Sequence, residues 1–290
     1  MGKYVFALDG NIVEPAAAVV PVLDHGFLFG DSVYEVVRTV GGRLFAAKQH
    51  LKRLHASAKG LALTLPWPDA RFIELLQAMH RALNEGESYL RLIVTRGEGE
   101  LDLHPGTCKA PRVIGIAKPL PQWPPEAYSK GAKVMLANVR RNPKEATDPA
   151  IKSGNYLNNV LAIMEARREK ALEAVMLGVN GHVTEATTSN VFMVKRGVLI
   201  TPDLGEGLLE GVTRGFVLKV ARKLKIKCVE RAITDKELLA ADEVFLSSTT
   251  RDIMPVGLIG KKRVKTAPGP VTQRLMEGYQ GVLAASANLI

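Results

Sequence analysis

Apolar positions along this chain recur with two different periods. Between 47 and 62, Leu51, Leu54, Ala58 and Leu61 return every three or four residues, the repeat of one helix face, and a second helical pattern covers 68–84. Tyr89-Leu90-Arg91-Leu92-Ile93-Val94-Thr95 reads as a buried strand. Leu157, Val160, Leu161 and Met164 recur at three- and four-residue spacing and predict a helix beginning at about Asn155. Val212, Phe216, Val220 and Leu224 predict another near 211–225. Shorter apolar runs predict strands at Lys133 to Val139, Ala174 to Val179, His182 to Glu185, Asn190 to Val194, Val198 to Thr201 and Val244 to Ser247. Asn180-Gly181 supplies a tight hairpin turn, because both residues accept positive φ, and Lys195-Arg196-Gly197 supplies a second.

This mixture of short strands and helices predicts a mixed α/β (α+β) fold. The 119–131 stretch, PLPQWPPEAYSKG, contains four prolines. Proline fixes φ and lacks an N–H, so the stretch is expected to separate two domains. The expected division is an N-terminal domain over 1–120, a linker over 121–132 and a C-terminal domain over 133–290. No internal repeat or low-complexity segment interrupts it.

Composition narrows the class. The 290 residues are 47% hydrophobic and 23% charged, enough apolar material for a substantial core. No stretch of about 18 uncharged apolar residues occurs, so no membrane span is expected. The N-terminal MGKYVFALDGNIV lacks the apolar run of a secretion signal, and Cys108 and Cys228 fit neither a metal site nor a disulfide framework. A cytoplasmic protein without a metal is expected. The formal charge of +10 raises the question of nucleic acid, but the basic residues are dispersed over Arg140-Arg141, Arg167-Arg168, 222–227 and Lys261-Lys262-Arg263. Each group fits a solvated face. Attraction of small anions accounts for the charge equally well, and no nucleic-acid role is expected.

Four features could carry chemistry. Lys152 lies between the Asp148-Pro149 turn and the helix expected from Asn155, where shielding from water would make its amine a Schiff-base former. The alternative is a solvated lysine at a helix entrance. Glu185, in Thr184-Glu185-Ala186-Thr187-Thr188-Ser189-Asn190, is either an edge-strand carboxylate facing water or a buried acceptor for a cationic ring N–H, solvated by the neighbouring hydroxyls. Leu209-Glu210-Gly211-Val212-Thr213-Arg214 opens a helix and presents backbone N–H groups that bind phosphate readily; ordinary capping is the alternative. Ser247-Ser248-Thr249-Thr250 adds hydroxyls at a strand end. Arg53, at about 100° per residue, points roughly 140° from the apolar stripe of its helix, so periodicity makes it solvated.

A Schiff-base lysine, a carboxylate for a ring nitrogen and a phosphate cradle are the contacts pyridoxal 5'-phosphate needs. The segments DHGFLFGDSVYEVVRTVGGRLF (24–45), HLKRL (50–54), YLRLIVTRGEGELDL (89–103), IKSGNYLNNVLA (151–162), VTEATTSNVF (183–192), LEGVTR (209–214) and FLSSTTRDIMPV (245–256) follow in an order that resembles the fold-type IV pyridoxal-phosphate enzymes. That group includes branched-chain and D-amino-acid aminotransferases and aminodeoxychorismate lyases. The resemblance implies two α/β domains of the D-amino-acid aminotransferase type, with the cofactor in the cleft between them, and a homodimer or higher oligomer whose partner loop completes the site. It implies that Lys152 is the Schiff-base lysine and proton carrier, and that Glu185 pairs with the ring nitrogen. Arg53, the Val212 and Thr213 N–H groups and Thr249 would hold the phosphate, and Tyr156 would bond the ring's phenolic oxygen. Tyr34, Tyr89, Arg91 and Thr250 would face the substrate. Tyr156 and the Tyr89-x-Arg91 pair resemble the branched-chain enzymes. Asp102 and Tyr34-Glu35-Val36-Val37-Arg38 depart from them, the latter toward the D-amino-acid form. The expected reaction moves the amino group of a branched-chain L-amino acid to 2-oxoglutarate, with a D-amino-acid or (R)-amine transaminase and then a lyase as alternatives.

Overall fold

Strict alternation decides the first sheet. In the strands Ser32–Val40 and Ser88–Thr95, Val33, Val37, Leu90, Leu92 and Val94 are buried on one face, where the antiparallel register sets Val33 against Val94, Glu35 against Leu92 and Val37 against Leu90. Two helices cover that face. Ala47–Gly60 contributes Leu51, Leu54 and Ala58, and Asp69–Leu83 contributes Phe72, Leu75, Leu76, Met79 and Leu83. The other face carries Tyr34, Val36, Tyr89, Arg91 and Ile93, since side chains two apart point the same way. The complete sheet runs Asn11–Val13, Val5–Leu8, Arg112–Pro119, Ser88–Thr95, Ser32–Val40, Arg43–Leu44.

The computed structural model describes residues 3–287. Within them, the chain up to Pro121, the insert Ile151–Asn155 and the stretch from Leu283 form one compact unit; Gln122–Ala150 and Tyr156–Val282 form the other. The second unit holds a mixed sheet in the order Cys228–Glu230, Val198–Thr201, Asn190–Lys195, Glu243–Ser248, Asp252–Ile259, Ala132–Leu136, Glu173–Leu177, Val183–Ala186, with Lys262–Arg263 paired to Asp252–Ile259. Its core includes Val175, Val191, Met193, Val244 and Leu246, and Phe192 stacks on Phe245 at 4.8 Å. Among the described residues no helix is long and apolar enough to cross a membrane.

Both helices expected after Lys152 and near 211–225 are present, but neither buries the whole stripe that its periodicity marks, and the linker departs from expectation. The helix following Lys152 spans Leu157–Arg168, and its apolar stripe faces outward: Leu157, Val160, Leu161 and Met164 are exposed, while Asn159, Ala162 and Ala166 are buried. The alanines belong to a cluster of small side chains with Ala137, Ala171 and Ala174, which lets the helix approach the Glu173–Leu177 strand closely. Periodicity found the larger stripe, and packing used the smaller one. The helix Val212–Lys223 likewise buries Thr213, Val217, Val220 and Ala221, leaving Val212, Phe216 and Leu224 half-buried. Finally, the expected linker over 121–132 is structured. It holds a short helix, Pro125–Ser129, whose proline sits in the first turn where no N–H is needed, and residues from Gln122 onward cluster with the second unit.

The insert Ile151–Asn155 precedes the helix, as expected, and bends around a single bridge to the first sheet. Ser153 bridges to Val33, Tyr34 N–H donates to the Lys152 carbonyl at 3.0 Å, and Gly154 N–H donates to the Ser32 carbonyl at 2.8 Å. Lys152 N–H donates to Ser57 Oγ at 3.0 Å. Lys152 is therefore held by its backbone on both sides. Gly154 is required by space: a Cβ there would stand 2.3 Å from Ser32 Oγ and 3.0 Å from the Gly30 carbonyl oxygen. Gly154→Ala should lower stability by about 1–3 kcal/mol, as overpacking does. It should also shift the Lys152 segment, so kcat falls even where the protein remains folded. Urea unfolding and steady-state kinetics on the same preparation check both effects.

Candidate active site

On the face of the first sheet opposite its two helices, one aromatic ring meets two cations. Arg91 Cζ lies 3.9 Å from the centroid of the Tyr34 ring and Lys152 Nζ lies 4.4 Å from it. Tyr34 is only 4% exposed, so these are contacts of a desolvated ring with the cations that its quadrupole attracts. Tyr89 lies on the same face as Arg91, with Lys118 Nζ 5.1 Å from its ring centroid. An anion reaching this face would meet a concentration of positive charge.

The helix-covered face holds a second polar group. His50, Arg53 and Ser57 follow at helical spacing, and Glu35 lies against them from the Ser32–Val40 strand. Arg53 donates Nε–H to Glu35 Oε1 at 2.6 Å and Nη2–H to Oε2 at 2.8 Å. His50 Nδ1 lies 2.7 Å from Oε2. A carboxylate can only accept there, so Nδ1 carries the proton. Burial alone would raise the Glu35 pKa, but Arg53 and His50 outweigh it and hold the carboxyl at about 2. Burial pushes the His50 pKa down against the opposing pull of Glu35, so the ring stays neutral. The expectation that Arg53 is solvated is thus corrected: its side chain is 12% exposed. Periodicity failed because this helix buries a polar stripe beside its apolar one.

In the second unit, Glu185 is 6% exposed although its strand ends the sheet path, so it does not face water. Oε1 accepts from Arg141 Nε at 3.0 Å and Oε2 from the Leu209 N–H at 3.1 Å. A carboxylate has about four acceptor sites, so a further donor can be accommodated. Arg141, expected on a solvated face, is 8% exposed and also donates to Asn158 Oδ1 at 3.1 Å. The hydroxyls that follow Glu185 do not solvate it. Thr187, Thr188 and Ser189 donate instead to Glu173, which is fully buried and also paired with Arg251. Tyr156 stands half-buried at the N-cap of Leu157–Arg168.

The expected phosphate residues of this unit occupy two adjoining elements, since the Val212–Lys223 helix packs on the Glu243–Ser248 strand. No side chain caps the helix at Gly211, which leaves the Val212 and Thr213 N–H groups at an open positive end. A Cβ at Gly211 would collide with Asn190 Oδ1, so a larger residue would displace a side chain whose Nδ2 donates to the Leu209 carbonyl at 2.8 Å. Thr249 and Thr250 form the turn between Glu243–Ser248 and Asp252–Ile259. The Pro-rich stretch clamps that turn. Trp123 Nε1–H donates to the Thr250 carbonyl and the Tyr128 hydroxyl to the Arg251 carbonyl, both at 3.2 Å, while Arg251 Cζ stacks 4.4 Å from the Trp123 ring centroid.

The sequence model of the family described as Amino-transferase class IV matches residues 32–259. The chain belongs to the class IV aminotransferases. Among relatives of this aminotransferase, a Methanocaldococcus jannaschii protein is 38% identical over 276 residues, covering 95% of each chain; its name assigns it provisionally to the branched-chain-amino-acid aminotransferases. A D-alanine aminotransferase of Bacillus licheniformis is 32% identical, covering 97% of this chain and 98% of its own. The solved branched-chain aminotransferase from Thermoproteus uzoniensis with norvaline superimposes with a TM-score of 0.90 at 31% identity, over 97% of this chain and 95% of that one. Another solved branched-chain amino acid aminotransferase, which superimposes with a TM-score of 0.92, carries pyridoxamine 5'-phosphate.

The residues of this aminotransferase fit such a cofactor. Ser247 Oγ and Ser248 Oγ are buried without a hydrogen-bond partner, at the strand end beside the uncapped helix. Buried hydroxyls in that state are costly, and phosphate oxygens would satisfy them. Each unit also holds one residue of the type a pyridoxal ring requires, Lys152 in the first and the buried Glu185 in the second. Sequence reasoning missed Glu35, His50, Ser57, Arg141, Glu173, Trp123 and Arg251. The positions of Glu35, His50 and Arg251 inside the motifs at 24–45, 50–54 and 245–256 were the signals available for any of them.

Two measurements follow from these networks. Trp123→Ala removes both the N–H bond to Thr250 and the stack on Arg251, so stability should fall by about 1–3 kcal/mol and cofactor affinity with it. Trp123→Phe keeps a ring for Arg251 and should lose less on both readouts, urea unfolding and cofactor titration. Acid provides the second. Glu35 has a depressed folded pKa, so its contribution is complete above its usual value of 4.5 and is lost as pH falls toward about 2. His50 is also depressed, so below its usual 6.5 the unfolded chain takes up a proton that the folded one refuses. The urea midpoint should therefore decline from about pH 6.5 downward, and His50→Gln should flatten the decline between pH 6.5 and 4.5.

Proposed function

We propose that this aminotransferase moves the amino group of a branched-chain L-amino acid to 2-oxoglutarate, using pyridoxal 5'-phosphate. The observation that carries this reading is the placement of Lys152, whose backbone is pinned on both sides and whose amine rests on the same Tyr34 ring as Arg91. When bound, the cofactor supplies an electron sink and carries the amino group between substrates. Lys152 Nζ would hold the cofactor; once the amine of the donor displaces it, the freed Nζ would take the proton from the donor's Cα and return a proton in the later half of the exchange. Glu185 accepts the ring N–H, with Arg141 and the Leu209 N–H fixing the carboxylate. Arg53, the Val212 and Thr213 N–H groups and Thr249 hold the phosphate, and Tyr156 donates to the phenolic oxygen. Tyr34, Tyr89, Arg91 and Thr250 orient the substrate, with the positive charge around Tyr34 attracting its carboxylate.

The branched-chain assignment is supported by the Tyr89-x-Arg91 pair, with both residues on the Tyr34 face of the sheet, and by relatives bearing that name. A D-amino-acid transaminase is the second reading, favoured by the Tyr34-Glu35-Val36-Val37-Arg38 sequence and by the D-alanine aminotransferase relative. We further infer that the two compact units act as two domains and that the enzyme is a cytoplasmic homodimer. Val22, Phe27, Leu101 and Leu103, each 68–79% exposed, are apolar surface suited to burial against a second copy.

An amino-donor panel with 2-oxoglutarate, run for both enantiomers, tests the reading. kcat/KM for L-leucine, L-isoleucine or L-valine should exceed that for D-alanine at least about tenfold, roughly 1.4 kcal/mol of transition-state binding. The reverse order moves the enzyme to the D-amino-acid branch. Lys152→Ala should abolish transamination with either series while the circular dichroism spectrum stays native. Turnover near that of the unmutated enzyme would overturn the chemistry itself.

A further inference from the structure

Glu35 has no part in the reaction described above, yet it is a fully buried carboxylate beneath a helix, with Leu92 directly opposite in the sheet and Val33 and Val37 on the same face. Such a site is expensive to occupy. A buried ion pair seldom stabilises a fold better than apolar residues of the same volume, so stability alone does not account for it. Geometry offers an account. Glu35 engages Arg53 through the Nε and Nη2 edge, a two-point contact that fixes the plane of the guanidinium, and His50 holds Oε2 from the other side. The same strand and helix also set Lys152. The N–H of Tyr34, next to Glu35, donates to the Lys152 carbonyl, and Ser57, one helical turn beyond Arg53, accepts the Lys152 N–H. Arg53 and Lys152 are thus referenced to one strand and one helix, and Glu35 is the tie between that strand and the arginine.

We propose that Glu35, braced by His50, is a positioning residue that sets the Arg53 guanidinium at a fixed place relative to Lys152, so that the first unit selects a pyridoxal bearing a phosphate at the correct span. The proposal rests on the reading of Arg53 as a phosphate ligand. It has an electrostatic cost that makes it testable. Glu35 neutralises the charge of Arg53, so a carboxylate serving only as a counterion would weaken phosphate binding, and its removal would strengthen it. A positioning carboxylate predicts the opposite sign.

The holoenzyme would be resolved from its cofactor, and full-length apoprotein titrated with pyridoxal 5'-phosphate and with pyridoxal, which lacks the phosphate. Glu35→Gln should weaken the phosphorylated ligand at least about tenfold and leave pyridoxal within about twofold. Arg53→Ala should do the same, and Glu35→Gln added to Arg53→Ala should cost nothing further. Unchanged or tighter binding of pyridoxal 5'-phosphate by Glu35→Gln, or an equal loss for both ligands, overturns the proposal. If Arg53→Ala itself leaves the ratio of the two affinities unchanged, the reading of Arg53 has failed instead. Should Glu35→Gln not fold, His50→Gln, which keeps the ion pair and removes its brace, carries the test: a loss of about threefold confined to the phosphorylated ligand supports the proposal, and no selective loss sinks it.

Discussion

The lysine proposed above to exchange bonds with substrate needs a backbone that does not move with it. Here that constraint is met by sheet pairing. The Ile151–Asn155 insert lies along the Ser32–Val40 strand through the Ser153–Val33 bridge and the bonds from Tyr34 and Gly154, and Ser57 closes the remaining side. Main-chain bonds of this kind leave the Lys152 side chain its rotamer freedom while removing freedom from the chain that carries it. Much of the first unit then reads as support for one short segment: Ser32, Tyr34 and Ser57 bond it, Gly60 gives Ile151 room, and Gly30 gives room to Asn155.

The same logic governs the charges. Three buried carboxylates, Glu35, Glu173 and Glu185, each have an arginine partner, in Arg53, Arg251 and Arg141 respectively. Pairing offsets the desolvation of each carboxylate, and the fork geometry of the guanidinium fixes direction as well as charge. The consequences differ. Glu173 gathers the hydroxyls of Thr187, Thr188 and Ser189 and so braces the strand ends after Glu185, whereas Glu185 keeps acceptor capacity in hand. One carboxylate is saturated and structural. The other is held in place and left able to accept.

What the sequence disclosed follows from this division. The apolar alternation of Tyr89 to Thr95 and the Leu51, Leu54, Ala58 stripe were legible because burial of apolar area dominates there. The motifs, by type and order, disclosed the family to which the chain belongs. Buried polar partners were illegible. Arg141 and Arg53 look like surface arginines until a carboxylate from a distant stretch of chain meets them, and no periodicity reports a contact 44 or 18 residues away. The Pro-rich segment misled for a related reason. Its prolines do break regular structure, yet Trp123 and Tyr128 between and beside them make it a clamp on the Thr250 turn.

The Leu157–Arg168 helix presents the converse case. Its periodicity was real and its large apolar residues are nevertheless outside, because alanines and Asn159 occupy the face toward the Glu173–Leu177 strand. A helix so arranged gains little from its leucines within a single chain. Leaving Leu157, Val160, Leu161 and Met164 exposed costs the hydrophobic contribution of about four side chains, several kcal/mol at the usual area coefficient. In a helix where lysine or glutamate would be equally helical, such a stripe is surface that the proposed homodimer would have reason to cover. This is why the exposed apolar residues weigh in favour of the proposed homodimer rather than counting as imperfections of the monomer's core.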